Sequence, residues 1–237
     1  MIDLENLPLS RRRALGLLGG LGLAALLPGC ADDEPAATGA GASTGTGGDT
    51  GAATADCVLM PEVTEGPYYL DLDLVRSDIT ESRPGLPLDL RVTVVDADAC
   101  EPIADAAVDV WHCDAGGVYS GVEGAEGETF CRGVQKTDAD GVAEFRTIFP
   151  GWYAGRAVHI HVKVIPGAGE AHTGQLFFED QAIAAASESE PYAERGGPET
   201  TNSADGIYAE TDGSTIVELV SAGDGYTGAI MLGVRRA

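Results

Sequence analysis

The 237-residue chain predicts an all-β fold, an antiparallel β-sandwich with long loops. Three observations carry that expectation. Short runs rich in β-branched residues recur, turn signals separate them, and no long window repeats apolar residues at helical spacing. The runs fall at 90–95, 107–111, 143–148, 159–165, 175–178, 215–219 and 229–234. Asp138-Ala139-Asp140-Gly141 and Pro150-Gly151 mark turns between them. Many short strands at this spacing suit a sandwich. A short helix is expected around 180–186. Residues 188–213, rich in polar side chains, Gly and Pro, read as a long loop. There is no internal repeat.

Residues 1–29 stand apart from that pattern. Arg11-Arg12-Arg13 precedes an apolar run at 14–27 that ends at Pro28-Gly29-Cys30. This is the charged start and apolar core of an export signal, too short and glycine-rich for a membrane span. The adjacent arginines are similar to a twin-arginine signal. Leu27-Pro28-Gly29-Cys30 resembles a lipobox, which makes Cys30 the candidate lipidation site; the proline departs from the usual small or β-branched residue. Residues 30–56 are Gly, Ala, Thr, Ser and Asp with almost nothing to bury, and are expected to form a flexible tether. The folded domain is expected over 57–237, exported to the periplasm or cell surface and lipid-anchored at Cys30.

Five cysteines are present. With Cys30 lipidated, four remain: Cys57, Cys100, Cys113 and Cys131. An even number in an exported domain suggests two disulfides, with three pairings that sequence cannot separate. Proximity alone favours Cys113–Cys131 and Cys57–Cys100. A zinc site is disfavoured because no Cys-x-x-Cys spacing occurs. The net charge of −24 excludes a nucleic-acid partner, and anionic membranes repel such a surface, leaving only the lipid anchor for membrane contact.

The chemistry concentrates between residues 110 and 164. Val158-His159-Ile160-His161-Val162 reads as a strand, so His159 and His161 project to one face while their neighbours enter a core. Tyr119 lies on a loop after the strand at 107–111, and Tyr153 follows the turn at Pro150-Gly151. Both can reach the edge where the histidines emerge. Phenolate is an anionic oxygen ligand suited to a hard trivalent ion such as Fe(III). Free tyrosine ionises only near pH 10, so a bound cation must hold it ionised. Two tyrosinates and one hydroxide would neutralise Fe(III), which suits a partly buried site.

These residues carry a resemblance. Trp111 followed by Gly117-Val118-Tyr119, then Thr137-Asp138-Ala139-Asp140-Gly141, then Phe145-Arg146-Thr147-Ile148-Phe149-Pro150-Gly151-Trp152-Tyr153, then Arg156 and His159-Ile160-His161, resembles the intradiol ring-cleavage dioxygenases. The opening Cys57-Val58-Leu59-Met60-Pro61-Glu62-Val63-Thr64-Glu65-Gly66-Pro67-Tyr68-Tyr69 is similar to exported, single-chain members. The resemblance covers roughly 57–178. It implies Fe(III) held by Tyr119, Tyr153, His159 and His161, with Tyr153 exchanged when substrate binds. It implies that Arg156 stabilises developing negative charge, and that Gln175 stands beside the site. The substrates implied are a catechol-type aromatic and O2, and the product a cis,cis-muconate-type diacid. One departure is visible. Only Ala154 and Gly155 separate Tyr153 from Arg156, where familiar members carry a longer insert, which implies a more open site.

Blander readings exist for each residue. Pro-Gly-x-Tyr after such a turn also occurs in non-catalytic β-sandwich modules, and His-x-His alone suits zinc or a strand surface. The alternative for the whole chain is therefore a cell-surface module binding carbohydrate or protein. An Fe(II) site of the two-His-one-carboxylate kind lacks an acidic residue at a ligand-like position. Tyr68 and Trp152 are candidate pocket residues, with plain packing as the rival. His112 reads as a strand residue with a hydrogen-bonded ring, and His172 as a turn residue without a role. Asp138, Asp140 and Gly141 read as a hairpin turn, not a calcium loop.

Overall fold

The computed structural model describes residues 57–122, 124–167 and 170–236. The expected export signal, tether and lipidation site at Cys30 lie outside them. Eight strands follow in order: β1 (Pro87–Asp96), β2 (Ala107–Trp111), β3 (Arg132–Lys136), β4 (Val142–Ile148), β5 (His159–Ile165), β6 (His172–Phe177), β7 (Glu218–Ala222) and β8 (Gly225–Val234). They form two four-stranded sheets, ordered β4-β1-β8-β7 and β3-β2-β5-β6. The expected β-sandwich is present. Its neighbouring strands run antiparallel except β1 and β8, which pair in parallel with Val92 beside Ile230.

Alternation explains the first sheet. Along β1, Leu88, Leu90, Val92 and Val94 are buried, while Pro87, Asp89 and Arg91 face out. They meet Val108, Val110, Ile160, Val162, Val164 and Leu176 of the second sheet in one apolar core. Each such side chain contributes about 1.5–3 kcal/mol on burial. The second sheet departs from alternation, because β2 is buried at all five positions and β5 at most of its seven. Its outer face must be covered too.

The cover is the segment from Leu59 to Ile79. Leu59 bridges to Gly233 of β8, and Val63 N donates to Thr173 O of β6. The chain then crosses β5 and β2, where Tyr69 packs on Trp111 at 4.8 Å between ring centres. It reaches β3 at Val75, which bridges to Val134, and β4 at Asp78, which bridges to Arg146. This strap places a polar group in a dry setting. Asp109, on the outer face of β2, is buried beneath Tyr69, to which it is hydrogen-bonded. Lys163, its neighbour across the ladder, sits 3.4 Å above the Tyr69 ring and 2.6 Å from Glu65. Burial pushes the Asp109 carboxyl up to about 7, and the hydrogen bond from Tyr69 and the charge on Lys163 offset only part of that.

Several local expectations are corrected. β3 was not foreseen, because Arg132-Gly133-Val134-Gln135-Lys136 holds a single β-branched residue. The strand expected at 215–219 begins at Glu218, and Thr215 and Val217 instead exchange backbone hydrogen bonds with Phe177 at the end of β6. The helix expected near 180–186 forms as α1 (Asp180–Ser187). The expected loop at 188–213 contains two 3-10 turns, Ala193–Arg195 and Asn202–Ala204, and the short helix α2 (Gly206–Glu210). His172 opens β6 and is not a turn residue. Its Nε2 accepts from Arg235 N at 3.3 Å.

The cysteine pairing is corrected in one half. Cys57 and Cys100 form a disulfide, while Cys113 and Cys131 are free and buried. Closeness in sequence misled, because the β2–β3 register sets Trp111 against Arg132, so Cys113 and Cys131 fall one position out of step. Cys131 packs in the main core, and Cys113 in a separate cluster with Trp111 and Tyr119.

Asp109→Asn should raise the melting temperature. A folded pKa raised to about 7, above the usual carboxyl value near 4, means that the native state keeps a proton the unfolded chain releases. Native stability therefore falls as pH rises across that interval. The gain from the substitution should be absent below about pH 4, grow up to about pH 7 and stay flat above it. Thermal melts across that range check this, with each kcal/mol worth about 2–4 °C in a domain of this size.

Candidate metal centre

The sequence places Trp111 at the end of β2 and His161 on β5, and the register sets them side by side. Their rings stack at 4.9 Å, 9° from parallel. His159, two residues earlier on the same face, anchors through Nδ1, 2.7 Å from Ala157 O. A carbonyl only accepts, so Nδ1 carries the proton and Nε2 presents its lone pair. That Nε2 is 3.2 Å from Nε2 of His161, 3.1 Å from Oη of Tyr153 and 3.4 Å from Oη of Tyr119. The four side chains named from sequence thus converge on one point. Among the described residues, no three His, Cys, Asp or Glu side chains form a metal-holding group, so a metal site at this face would need the two tyrosines.

The loops carrying the two tyrosines are fastened to each other. Gly151 N donates to Asp114 O at 3.1 Å, and a Cβ on Gly151 would lie 2.5 Å from the carbonyl oxygens of Asp114 and Ala115. Only glycine permits that approach. Arg195 ties the same loops, donating to Ala115 O at 2.8 Å and Trp152 O at 2.6 Å. The Asp114 carboxylate accepts from Gly116 N and Val118 N and pairs with Arg83, fixing the turn that leads to Tyr119. Trp152 itself lies in the main core under the Arg195 guanidinium. Tyr68, from the strap, stacks on Tyr119 at 4.6 Å and meets Tyr153 edge-on at 6.4 Å.

The strap also closes over His161. Gly66 holds φ +71°, and a Cβ there would lie 3.3 Å from Cε1 of His161. Gln175, opposite His161 in the β5–β6 register, donates from Nε2 to Thr64 O at 2.9 Å and accepts from Arg156 Nη2 at 2.5 Å. Arg156 is half-buried and pairs through Nε with Asp205 at 2.9 Å. His112 is not among the donors. Its Nδ1 contacts Cys113 O and its Nε2 contacts Thr147 Oγ1, each at 2.8 Å.

The electrostatics suit a cation. Burial and the nearby Arg156 push His159 down to about 3, and burial with neighbouring His159 takes His161 well below the ordinary imidazole value. Both rings are therefore neutral, the state in which imidazole binds metal. Burial raises Tyr119 well above 10 and raises Tyr153 as well. The hydrogen bond between the phenols opposes ionisation of Tyr119 and favours that of Tyr153. Two neutral imidazoles and two phenols that need a strong cation to ionise fit a hard, highly charged ion.

Asp205, Thr64, Gly66 and Arg195 escaped the sequence reading. Asp205 alone left a usable signal, an Asp before Gly206-Ile207-Tyr208-Ala209 in the manner of a helix N-cap. Replacing Gly66 with Ala should cost about 1–2 kcal/mol for the left-handed backbone and should push against the His161 ring. A lower melting temperature together with weaker metal retention checks it.

Comparison with known proteins gives a consistent picture. A family model described as Dioxygenase matches residues 61–190, more than half of the chain and the part holding all four donors. Catechol 1,2-dioxygenase 1 of Acinetobacter lwoffii is 37% identical over 100 residues, 39% of this chain and 32% of that protein. Chlorocatechol 1,2-dioxygenase of Pseudomonas putida is 30% identical over 136 residues, 48% of this chain and 52% of that protein. The chain thus matches about a third and about half of the length of these two relatives. The solved intradiol ring-cleavage dioxygenase of Tetranychus urticae shares 34% identity at a TM-score of 0.72, covering 76% of this chain and 95% of that one.

Proposed function

The chain belongs to the intradiol ring-cleavage dioxygenase family, and from that membership we propose that it opens catechol-type rings with O2 at a non-haem Fe(III) centre. The observation that carries the reading is the convergence of Tyr119, Tyr153, His159 and His161 around the lone pair of His159 Nε2. Those four residues would hold the ion. Bound Fe(III) would act as a Lewis acid that ionises the phenols and renders a bound catechol electron-rich enough to react with O2. The oxygen atoms enter between the two hydroxyl-bearing carbons, so catechol plus O2 balances a cis,cis-muconate-type diacid.

The protein's own groups have separable tasks. Tyr153 is less buried than Tyr119, so its Oη, once ionised by the bound ion, is the one of the two that substrate can reach and that would take a proton from a substrate hydroxyl. Arg156, held by Asp205 and Gln175, offers fixed positive charge where negative charge develops on the ring. Tyr68 and the strap around Gly66 shield the donors from water and leave the Tyr153 side as the approach. The short Ala154-Gly155 step from Tyr153 to Arg156, where a Cβ on Gly155 would meet nothing within 4 Å, supports an approach open to bulky catechols.

Metal analysis with a visible spectrum, before and after adding catechol without air, tests this reading. The expected result is stoichiometric iron and a broad tyrosinate band that moves to longer wavelength with catechol. Zinc, or iron without a band, would sink it. Tyr119→Phe should weaken the band, leaving only the Tyr153 contribution, and reduce activity more than about 100-fold, beyond the range typical of residues that only support a ligand.

We also propose export and lipid anchoring at Cys30. The charged and apolar segments of residues 1–29 support it. So does the Cys57–Cys100 disulfide, since such bonds persist in oxidising compartments. In the native host the protein should fractionate with membranes and Cys30→Ser should not; equal behaviour of the two forms would refute the anchor.

A further inference from the structure

Asp205 is 2% exposed and gathers four N–H donors on two oxygens. Oδ2 accepts from Arg156 Nε at 2.9 Å and Ala157 N at 2.8 Å. Oδ1 accepts from Ile207 N at 2.8 Å and Tyr208 N at 3.2 Å. An ionised carboxylate accepts on both oxygens and donates from neither. Asn could satisfy only one pair, since its amide nitrogen would face two N–H groups whichever way it turned. Burial alone would raise the Asp205 pKa, but the bonds from Ala157 and Arg156 outweigh it and hold the carboxyl below its ordinary value.

The partners of Asp205 lead directly to the metal centre. Arg156 is gripped at its Nε end by Asp205 and at Nη2 by Gln175, whose amide is tied to Thr64 O. Two of the five N–H bonds of the guanidinium are thereby used, and its planarity fixes the direction of the others. Ala157, which donates to the same carboxylate oxygen, uses its carbonyl to orient the His159 ring. One buried carboxylate on the segment after β6 therefore sets both the arginine and the peptide that steadies a donor histidine.

We propose that Asp205 is a positioning residue for ring cleavage, aiming Arg156 at the reacting atoms and steadying His159 through Ala157 without itself touching substrate. This rests on the dioxygenase reading. Its rival is a plain helix cap, because Asp205 is also the N-cap of α2.

Asp205→Ser separates the two roles. Serine caps a helix about as well as aspartate, yet its shorter hydroxyl cannot span to Arg156 and Ala157 as well. The expected result is a kcat lower by about 10–100-fold, the range for residues that orient others at a metal site. KM should change by less than about threefold and iron content should be retained, while the metal-free protein should still fold but melt lower, since Ala157 N loses its acceptor and Arg156 its countercharge. In an Arg156→Ala background the same substitution should lower kcat by clearly less than in the parent, because only the support of His159 through Ala157 is left to lose. Unchanged kcat in Asp205→Ser, or an equal loss in both backgrounds, overturns the proposal while the parent remains active. A parent with neither iron band nor ring cleavage overturns the dioxygenase reading, and the proposal with it. Should the serine form not fold, Asp205→Asn, which also caps α2, carries the same expectations.

Discussion

The antiparallel register of β2 and β5 puts Trp111 beside His161 and Asp109 beside Lys163, and most of the molecule is arranged around the face these residues share. A slip of one residue would send His159 and His161 into the apolar core and bring Ile160 and Val162 out. That alternative would bury two imidazoles among aliphatic side chains. The core therefore enforces the presentation of the donors, and does so on a strand, where side-chain directions are set more firmly than on a loop.

Around this face the fold solves a conflict between burial and polarity. Imidazoles and phenols kept from water are neutral, which suits the histidines and opposes ionisation of the tyrosines. The cost is concentrated where a cation can offset it. Several charged groups nearby are paired: Asp205 with Arg156, Arg195 with two carbonyls, Lys163 with Glu65. Asp109, shielded beneath Tyr69, lacks a full countercharge, and Trp111 Nε1 and His161 Nδ1 are buried without a hydrogen-bond partner. Dense pairing leaves few ways for the loops holding Tyr119 and Tyr153 to shift independently of each other.

How much was legible in the sequence follows from how local each signal was. His159 and His161 carry their geometry in their spacing, since period-two alternation needs no partner to be read. The runs that became β1, β2, β4, β5, β6 and β8 announced themselves through β-branched or aromatic residues. β3 did not, because its place comes from pairing with β2 and from the bridge to Val75. Asp205 lies 49 residues after Arg156 in a stretch whose composition suggests only loop, and the contact exists because α2 folds back against the start of β5. The separation of Cys113 from Cys131 likewise depends on strand register, which proximity in sequence does not encode.

The Cys57–Cys100 bond has a mechanical meaning. It ties the first described residue to the turn between β1 and β2, and the strap begins only two residues later, at Leu59. A pull arriving along the chain from its N-terminal side meets this covalent tie before it meets the strap. The load passes to the end of β1, a strand held on both sides by long ladders, while the thin segment over His161 stays slack. A chain towed by its N-terminus would feel the tug in its scaffold and not at the cluster of Tyr119, Tyr153, His159 and His161.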